Sequence, residues 1–321
     1  LVWNRPRYQE NSGNYYYNQL IEKNGGNPVM TPGYSTDNYT EWAVDYIRGK
    51  DGREEGKPWY LWLCYGGVHG PFTPAERHLD LYADIRITDP ADIYPPRPGK
   101  PTYSRLVEQW VKGPAGEPVL VRGKTKGGIS ADGKKTLTNW VRQVNQAVRS
   151  LDDGVGKVVA TLKESGQYEN TLIILTSDQG FAWGQHGFQV KKAPYDANIR
   201  SPMVISMPSR FPSGEVCRHP VGGVDIVPTI FSVAGVDLPW EMHGSDLTPL
   251  LKKPGRDDWD ETVLTVFTGD SYGSASDKVP IATDEASKKK LYMRGAVPWW
   301  VSLLDGEWKY IRTLVPDEPE E

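Results

Sequence analysis

The chain has 321 residues, 38% of them hydrophobic, and its 41 acidic and 37 basic side chains leave a net charge of -4. That length and apolar content can bury a sizeable core, so one large α/β domain is expected, alone or with a small appendage. The near-balanced charge gives no general reason for nucleic acid or an anionic membrane as partner, and no apolar run approaches the roughly 20 residues that cross a bilayer. The chain opens on a polar, aromatic stretch (YQENSGNYYYNQL) instead of a basic and then apolar leader, so any secretion signal is expected upstream. Cys64 lies in an apolar run and Cys217 in a polar loop; they read as structural thiols, not a disulfide framework.

In chain order, Asp37 to Arg48 places Trp42, Ala43, Tyr46 and Ile47 at the spacing of a short amphipathic helix. Pro58 to Tyr65 (PWYLWLCY), closed by Gly66 and Gly67, reads as a buried strand that delivers His69 to the loop beyond it. Asp84 to Lys135 is rich in Pro and Gly and reads as a long excursion with a short helix around Tyr103 to Val111. Its Arg122, Lys124, Lys126, Lys134 and Lys135 are either a solvated loop or a surface for an anionic polymer.

The clearest helix runs from Asn139 to Ser165, with Val141, Val144, Val148, Leu151, Val155, Val158 and Leu162 in one stripe and Gly166 as the stop. Thr171 to Thr176 (TLIILT) follows as an aliphatic strand of the kind covered on both faces. A strand at Met203 to Met207 and a helix at Ile226 to Ala234, with Asp225 as N-cap, continue the pattern. The expected fold class is α/β, a doubly wound and largely parallel sheet. Thr262 to Phe267, Trp299 to Leu304, the turn Asp305-Gly306 and Trp308 to Thr313 read as antiparallel strands of a small C-terminal subdomain. The division expected is 1–252 and 253–321.

Ligands of open α/β sheets bind beyond the carboxyl ends of the strands, where TLIILT delivers Ser177, Asp178 and Gln179. A carboxylate followed by an amide offers two hard oxygen donors, suited to calcium or magnesium. An Asp-Gln pair that merely shapes the turn before Gly180 is the structural alternative.

From Leu151 to Pro202, a helix with Leu-Asp, an apolar strand, Thr-Ser-Asp-x-Gly, Gly-x-His-Gly, a Lys four residues before a Tyr, and Ile-Arg-x-Pro follow one another in register. In that order and spacing the stretch resembles the type I, formylglycine-dependent sulfatases of the alkaline phosphatase superfamily. GYSTDNYTEWAVDYI, KPWYLWLCYGGVHGPF, RFPSGEVCRHPVGGVDIVPTIFSVAGVDLP and HGSDLTPLL extend the likeness over most of the chain from Gly33. The resemblance implies an alkaline phosphatase-like fold and sulfate ester hydrolysis, with a sulfate ester as substrate, a sulfated carbohydrate among the candidates. It implies that Asp178 and Gln179 hold a divalent cation, Ca2+ before Mg2+, and that His69 and Lys191 are catalytic. Gln179 stands where many members carry Asn or His, which leaves the metal preference open. His186 in GQHGF is a weaker substrate-side candidate, and Lys192 is weaker still. Arg200 is expected to brace the turn into the next strand.

The family's nucleophile is a formylglycine made from Cys or Ser in Cys/Ser-x-Pro-Ser-Arg, and the resemblance places it upstream of Leu1, so no nucleophile is assigned within this chain. Ser206-Met207-Pro208-Ser209-Arg210 repeats the letters, but it follows the metal pair and coincides with a strand end, so it reads as a decoy. The resemblance also implies a periplasmic or secreted protein. Phosphodiester or phosphonate monoester hydrolysis on the same scaffold is the alternative enzyme reading, and a non-catalytic module for sulfated glycans is the alternative outside catalysis.

Overall fold

A computed structural model of the chain describes residues 3–4, 16–121, 136–268, 284–293, 295–313 and 320–321. The elements run β1 (Trp3–Asn4), β2 (Tyr17–Lys23), β3 (Val29–Tyr34), α1 (Ser35–Ile47), α2 (Thr102–Arg105), β4 (Trp110–Lys112), β5 (Pro118–Leu120) and α3 (Leu137–Glu164). They continue as β6 (Ile173–Thr176), β7 (Ala182–Trp183), β8 (Gln189–Val190), α4 (Asp196–Ile199), β9 (Met203–Ser206), α5 (Ile226–Ala234) and α6 (Thr248–Lys252). Last come β10 (Val263–Phe267), α7 (Glu285–Tyr292), β11 (Trp300–Asp305) and β12 (Trp308–Thr313). Two compact units contain them, one of residues 1–88 and 113–169, the other of residues 89–112 and 170–321.

In the first unit, β2 and β3 pair antiparallel and lead into α1, which packs on α3. Thr136 caps α3, its hydroxyl accepting from the Asn139 amide at 3.2 Å. The buried face of α3 comprises Leu137, Trp140, Val144, Ala147, Gly154 and Leu162 together with the polar Gln146, Ser150 and Thr161, whereas Val148 is exposed. The face is thus rotated from the expected stripe, because polar side chains on its inner flank are occupied. Gln143 Nε2 donates to the carbonyls of Pro71 and Phe72, and Gln146 Nε2 to those of Leu79 and Leu81. Arg142 reaches the carbonyls of Tyr82 and Ala83, and His78 is held between Ser150 Oγ and Asp153 Oδ2 at 3.0 Å each. A loop of residues 66–86, which has no sheet ladder to satisfy its backbone, is fastened to the helix by these donors.

The segment Pro58 to Tyr65 is extended, but it has no ladder partner among the described residues and is not the buried strand expected. Its side chains alternate. Trp59 Nε1 donates to Gln167 Oε1 at 2.9 Å and Tyr65 meets Thr40 Oγ1 at 3.0 Å, while Trp62 between them is 78% exposed. One face is therefore half-buried against α1 and the end of α3 and the other is open.

In the second unit, β6 and β9 form an antiparallel pair with Ile173 opposite Ser206 and Thr176 opposite Met203. This is the one pairing that the described residues give the strand expected to be covered on both faces. Leu175 and Val204, opposite each other, are 46% and 57% exposed. The helix expected over Tyr103 to Val111 is only the four residues of α2. The buried Arg97 takes the carbonyls of Ser104 and Val107 at 3.0 and 2.9 Å, so they are not available to continue a helical ladder. Asp225 stands at the N-cap position of α5, as expected, but its side chain makes no capping bond to that helix. Its carboxylate accepts from the amides of Gly222 at 2.6 Å and Ser245 at 2.8 Å, and a 3-10 turn over Gly223–Asp225 leads into the helix. The three C-terminal strands are antiparallel in the order β10-β11-β12, as expected, and the β11–β12 hairpin turns through Gly306 and Glu307, one residue on from the expected Asp305-Gly306, because Asp305 still pairs with Trp308. Both cysteines are free and exposed.

Gly154 is required by contact. A Cβ there would stand 2.5 Å from Thr40 Oγ1 and 2.9 Å from Tyr65 Oη, and Thr40 Oγ1 is already tied to the Thr36 carbonyl. Ala is the better helix former by about 1 kcal/mol, yet Gly154→Ala is expected to destabilise the protein by about 1–3 kcal/mol through overpacking. A urea titration checks this: the midpoint falls while the slope is kept.

Candidate functional site

Strand β6 ends at Thr176, whose hydroxyl donates to the Pro202 carbonyl at 3.0 Å and closes the pair with β9. The chain then turns through Ser177, Asp178 and Gln179. Ser177 Oγ lies 3.3 Å from Asp178 Oδ1 and 3.2 Å from the Gln179 carbonyl, so it holds the turn shut. Asp178 is exposed, with the Gln179 amide 3.5 Å from its Oδ2. Gly180 follows because nothing larger fits: a Cβ there would lie 2.8 Å from the backbone N and O of Arg200. The brace expected of the Arg200 side chain is supplied by its backbone instead, whose amide donates to the Asp196 carbonyl at 2.8 Å while the side chain stays exposed.

Lys191 lies just after β8, half-buried, and Lys192 is exposed in a left-handed conformation with φ of 96°. The Lys192 carbonyl accepts from Trp300 Nε1 at 2.8 Å, which fixes the backbone beside Lys191. Four residues after Lys191, Tyr195 is buried, and burial pushes its phenol well above the usual range. His186 packs against Tyr195 with ring centroids 4.1 Å apart and the planes tilted by 41°, and its Nδ1 faces Asp92 Oδ2 at 2.6 Å. Asp92 carries no functional signal in the sequence. It sits in DPADIYPPRP, where the only local signal is turn chemistry, and nothing in the spacing ties it to His186.

His69 belongs to the first unit, whereas Asp178, Gln179, His186 and Lys191 belong to the second. His69 is exposed. Its carbonyl accepts from the Tyr16 hydroxyl and from the Phe72 amide, and its Nδ1 lies 3.1 Å from the Gly70 carbonyl. Arg122, Lys124, Lys126, Lys134 and Lys135 lie outside the described residues.

Two arrangements mimic chemistry. Ser150, His78 and Asp153 are bonded in the manner of a serine-histidine-aspartate triad, but Ser150 is 1% exposed, out of reach of a substrate, and all three fasten the loop to α3. A cavity of about 370 Å3 beside them is lined by Arg77, His78, Leu81, Tyr82, Arg149 and Asp153. Its cations are neutralised, Arg77 by Asp37 and Arg149 by Asp152 and Asp153. Ser206 is the second mimic. It pairs with Ile173, at the end of the ladder away from Asp178, about 10 Å at strand rise from Thr176, the strand residue nearest the turn.

Residues 2–236 match the family model described as Sulfatase. The chain belongs to the sulfatase family. Residues 184–292 match the model described as N-sulphoglucosamine sulphohydrolase, C-terminal. Among similar sulfatases, the N-acetylglucosamine-6-O-sulfatase of Bacteroides thetaiotaomicron is 25% identical over 303 residues, covering 80% of this chain and 53% of that protein. The N-acetylglucosamine-6-sulfatase of Homo sapiens is 26% identical over 261 residues, covering 79% and 43%. The chain thus spans about half the length of the curated relatives it matches.

A solved complex with the substrate D-glucosamine-2-N,6-O-disulfate superposes with a TM-score of 0.71 at 21% identity, covering 95% of this chain and 66% of that one. A phosphonate monoester hydrolase from Silicibacter pomeroyi superposes with a TM-score of 0.64 at 21% identity, covering 95% and 57%. The fold is the alkaline phosphatase-like α/β fold with a C-terminal antiparallel sheet.

Expression beside a formylglycine-generating enzyme tests the reading of Ser206. Peptide mass spectrometry is expected to show unmodified serine there, since a residue paired in a ladder is not presented as an extended substrate loop. A mass matching oxidation of Ser206 to the aldehyde would overturn it.

Proposed function

We propose that the whole protein, of which these residues form part, hydrolyses a sulfate ester carried on a carbohydrate. The observation that carries the reading is the turn after β6. Within a stretch matched by the sulfatase family, it presents Asp178 and Gln179, two hard oxygen donors, at a strand end, with Lys191 following in the same unit. The relatives described as N-acetylglucosamine-6-sulfatases point to a 6-sulfated amino sugar as the substrate class. By the family pattern we place the protein in the periplasm or outside the cell. No helix among the described residues is long and apolar enough to cross a membrane.

In this reading Lys191 places its ammonium against the sulfuryl oxygens, where negative charge grows as the ester bond breaks. His69 donates a proton to the departing alkoxide, so that the sugar leaves as a neutral alcohol. His186 lies on the substrate side. Asp178 and Gln179 are suited by their donor chemistry to a hard divalent cation, calcium before magnesium; bound, it would supply positive charge to the sulfate. They give two of the six to eight oxygens calcium takes, and no group of three or more His, Cys, Asp or Glu side chains gathers elsewhere among the described residues. By the family pattern we assign the remaining donors and the formylglycine nucleophile to a segment upstream of these residues. Phosphonate or phosphodiester hydrolysis is the second reading, favoured by the likeness to the phosphonate monoester hydrolase fold, because the same basic groups stabilise phosphoryl oxygens.

Full-length protein with a matured nucleophile is expected to turn over glucosamine-6-sulfate and 4-nitrophenyl sulfate, and Lys191→Ala to lower kcat on both about 100-fold or more. Calorimetric titration with calcium is expected to show weaker binding for Asp178→Ala, and the 321-residue chain alone is expected to bind calcium weakly and to show no turnover. Faster hydrolysis of a phenyl phosphonate than of the sulfate would favour the second reading. Turnover by the 321-residue chain alone, abolished by Lys191→Ala, would place a complete site within it.

A further inference from the structure

The loop Gly184–Gly187 is bent through three left-handed residues, with φ of 96° at Gly184, 54° at His186 and 75° at Gly187. Glycine adopts that conformation freely, but for histidine it carries a cost that surrounding contacts must offset. Those contacts come from one short segment. A Cβ at Gly184 would lie 2.5 Å from Ile93 Cδ1, and one at Gly187 would lie 1.9 Å from Arg97 Nη2, so both glycines exist to let the loop sit down on residues 90–97. Asp92 then uses both carboxylate oxygens on one residue: Oδ1 accepts from the His186 amide at 3.0 Å and Oδ2 faces His186 Nδ1 at 2.6 Å. Asp92 is itself fixed, because Arg97 Nε donates to its carbonyl at 2.7 Å while the other guanidinium nitrogens bind the carbonyls of Ile93, Ser104 and Val107.

The imidazole packs against Tyr195 at a 41° tilt, and Tyr195 is held in turn by its hydroxyl bond to Glu321 Oε2 at 2.9 Å and by Lys100 over its ring. His186 Nδ1 is sealed from solvent and makes no hydrogen bond of good geometry among the described residues, so the Asp92 carboxylate at 2.6 Å acts on it as a facing charge; the side chain is 29% exposed. With Nδ1 sealed, the remainder of the ring, which includes Nε2, is the part left for contact.

We propose that Asp92 is a positioning residue that keeps the His186 proton on Nδ1 and so presents Nε2 as a hydrogen-bond acceptor to a hydroxyl of the carbohydrate beside the sulfate ester. A carboxylate facing Nδ1 selects that tautomer, since the neutral ring carries one proton and the anion attracts it. Nε2 then holds a lone pair. It accepts from a hydroxyl and gains nothing from a sulfate oxygen, which brings no proton of its own. His186 thus discriminates a hydroxyl from a second sulfate at its position on the sugar. The assignment rests on the sulfatase reading for its substrate but not for its geometry.

The test uses full-length protein as wild type, Asp92→Asn, His186→Gln and the double variant, with glucosamine-6-sulfate and 4-nitrophenyl sulfate, an ester without sugar hydroxyls. In Asp92→Asn the backbone amide of His186 keeps the side-chain oxygen, which leaves the NH2 group facing Nδ1 and drives the proton to Nε2. Each single variant is expected to lose at least ten-fold more in kcat/KM on the saccharide than on the aryl ester. The double variant is expected to lose no more than His186→Gln alone, because Asp92 acts through that ring. Equal losses on the two esters, or additive losses in the double variant, overturn the proposal. If the wild type hydrolyses neither ester, the sulfatase reading falls, and nitrogen-15 spectra of the His186 ring still decide the dyad. A proton on Nδ1 in the wild type supports it, and a proton on Nε2 overturns it.

Discussion

Irregular backbone held by side-chain donors is the constraint on which both units rest. A loop buried without a ladder leaves its carbonyls without partners, and each such group costs about 1–3 kcal/mol if left unmet. In the first unit α3 meets that requirement, with Gln143, Gln146 and Arg142 each bonding two carbonyls of the 66–86 loop. The helix is thus a hydrogen-bonding scaffold as much as an apolar one, and it sets the path of the chain that leaves His69. Tyr34 adds a further tie through its hydroxyl to the Thr73 carbonyl at 2.9 Å, and burial pushes that phenol up to about 12.

Arg97 plays the same part in the second unit with one side chain, bonding four carbonyls from Asp92 to Val107. The planar fork of donors on a guanidinium suits this work, since the acceptors lie on several sides of one buried group. The Gly184–Gly187 loop packs onto that assembly, so the position of His186 is inherited from Arg97 as much as from its own neighbours. What the family match adds is the identity of the scaffold; the local geometry explains why this stretch of it is shaped as it is.

The elements set by periodicity were legible in the sequence. The α1 and α3 helices, the β6 and β9 strands and the β11–β12 hairpin carry their own apolar pattern and turn residues. Readings that depended on a partner were less so. PWYLWLCY has the composition of a buried strand, yet Trp62 points away from the α1 side, because burial is decided by what pairs beside a segment and not by the segment. Asp225 has the letter of an N-cap but is drawn to the Gly222 and Ser245 amides, a contact with a residue 20 positions on that no local rule encodes. The turn at Asp178 and Gln179 was legible as position, at the end of β6. Asp92 was not, since 94 residues separate it from His186 and only folding brings the two together.

The contact between Gly187 and Arg97 carries a consequence for how this sequence can change over time. A side chain at 187 would collide with the guanidinium, while loss of the guanidinium would strip donors from four carbonyls. Neither position can drift first. A lineage exploring other loops here must cross a valley in which one of the two changes is already harmful, so the pair is expected to persist or to be replaced together.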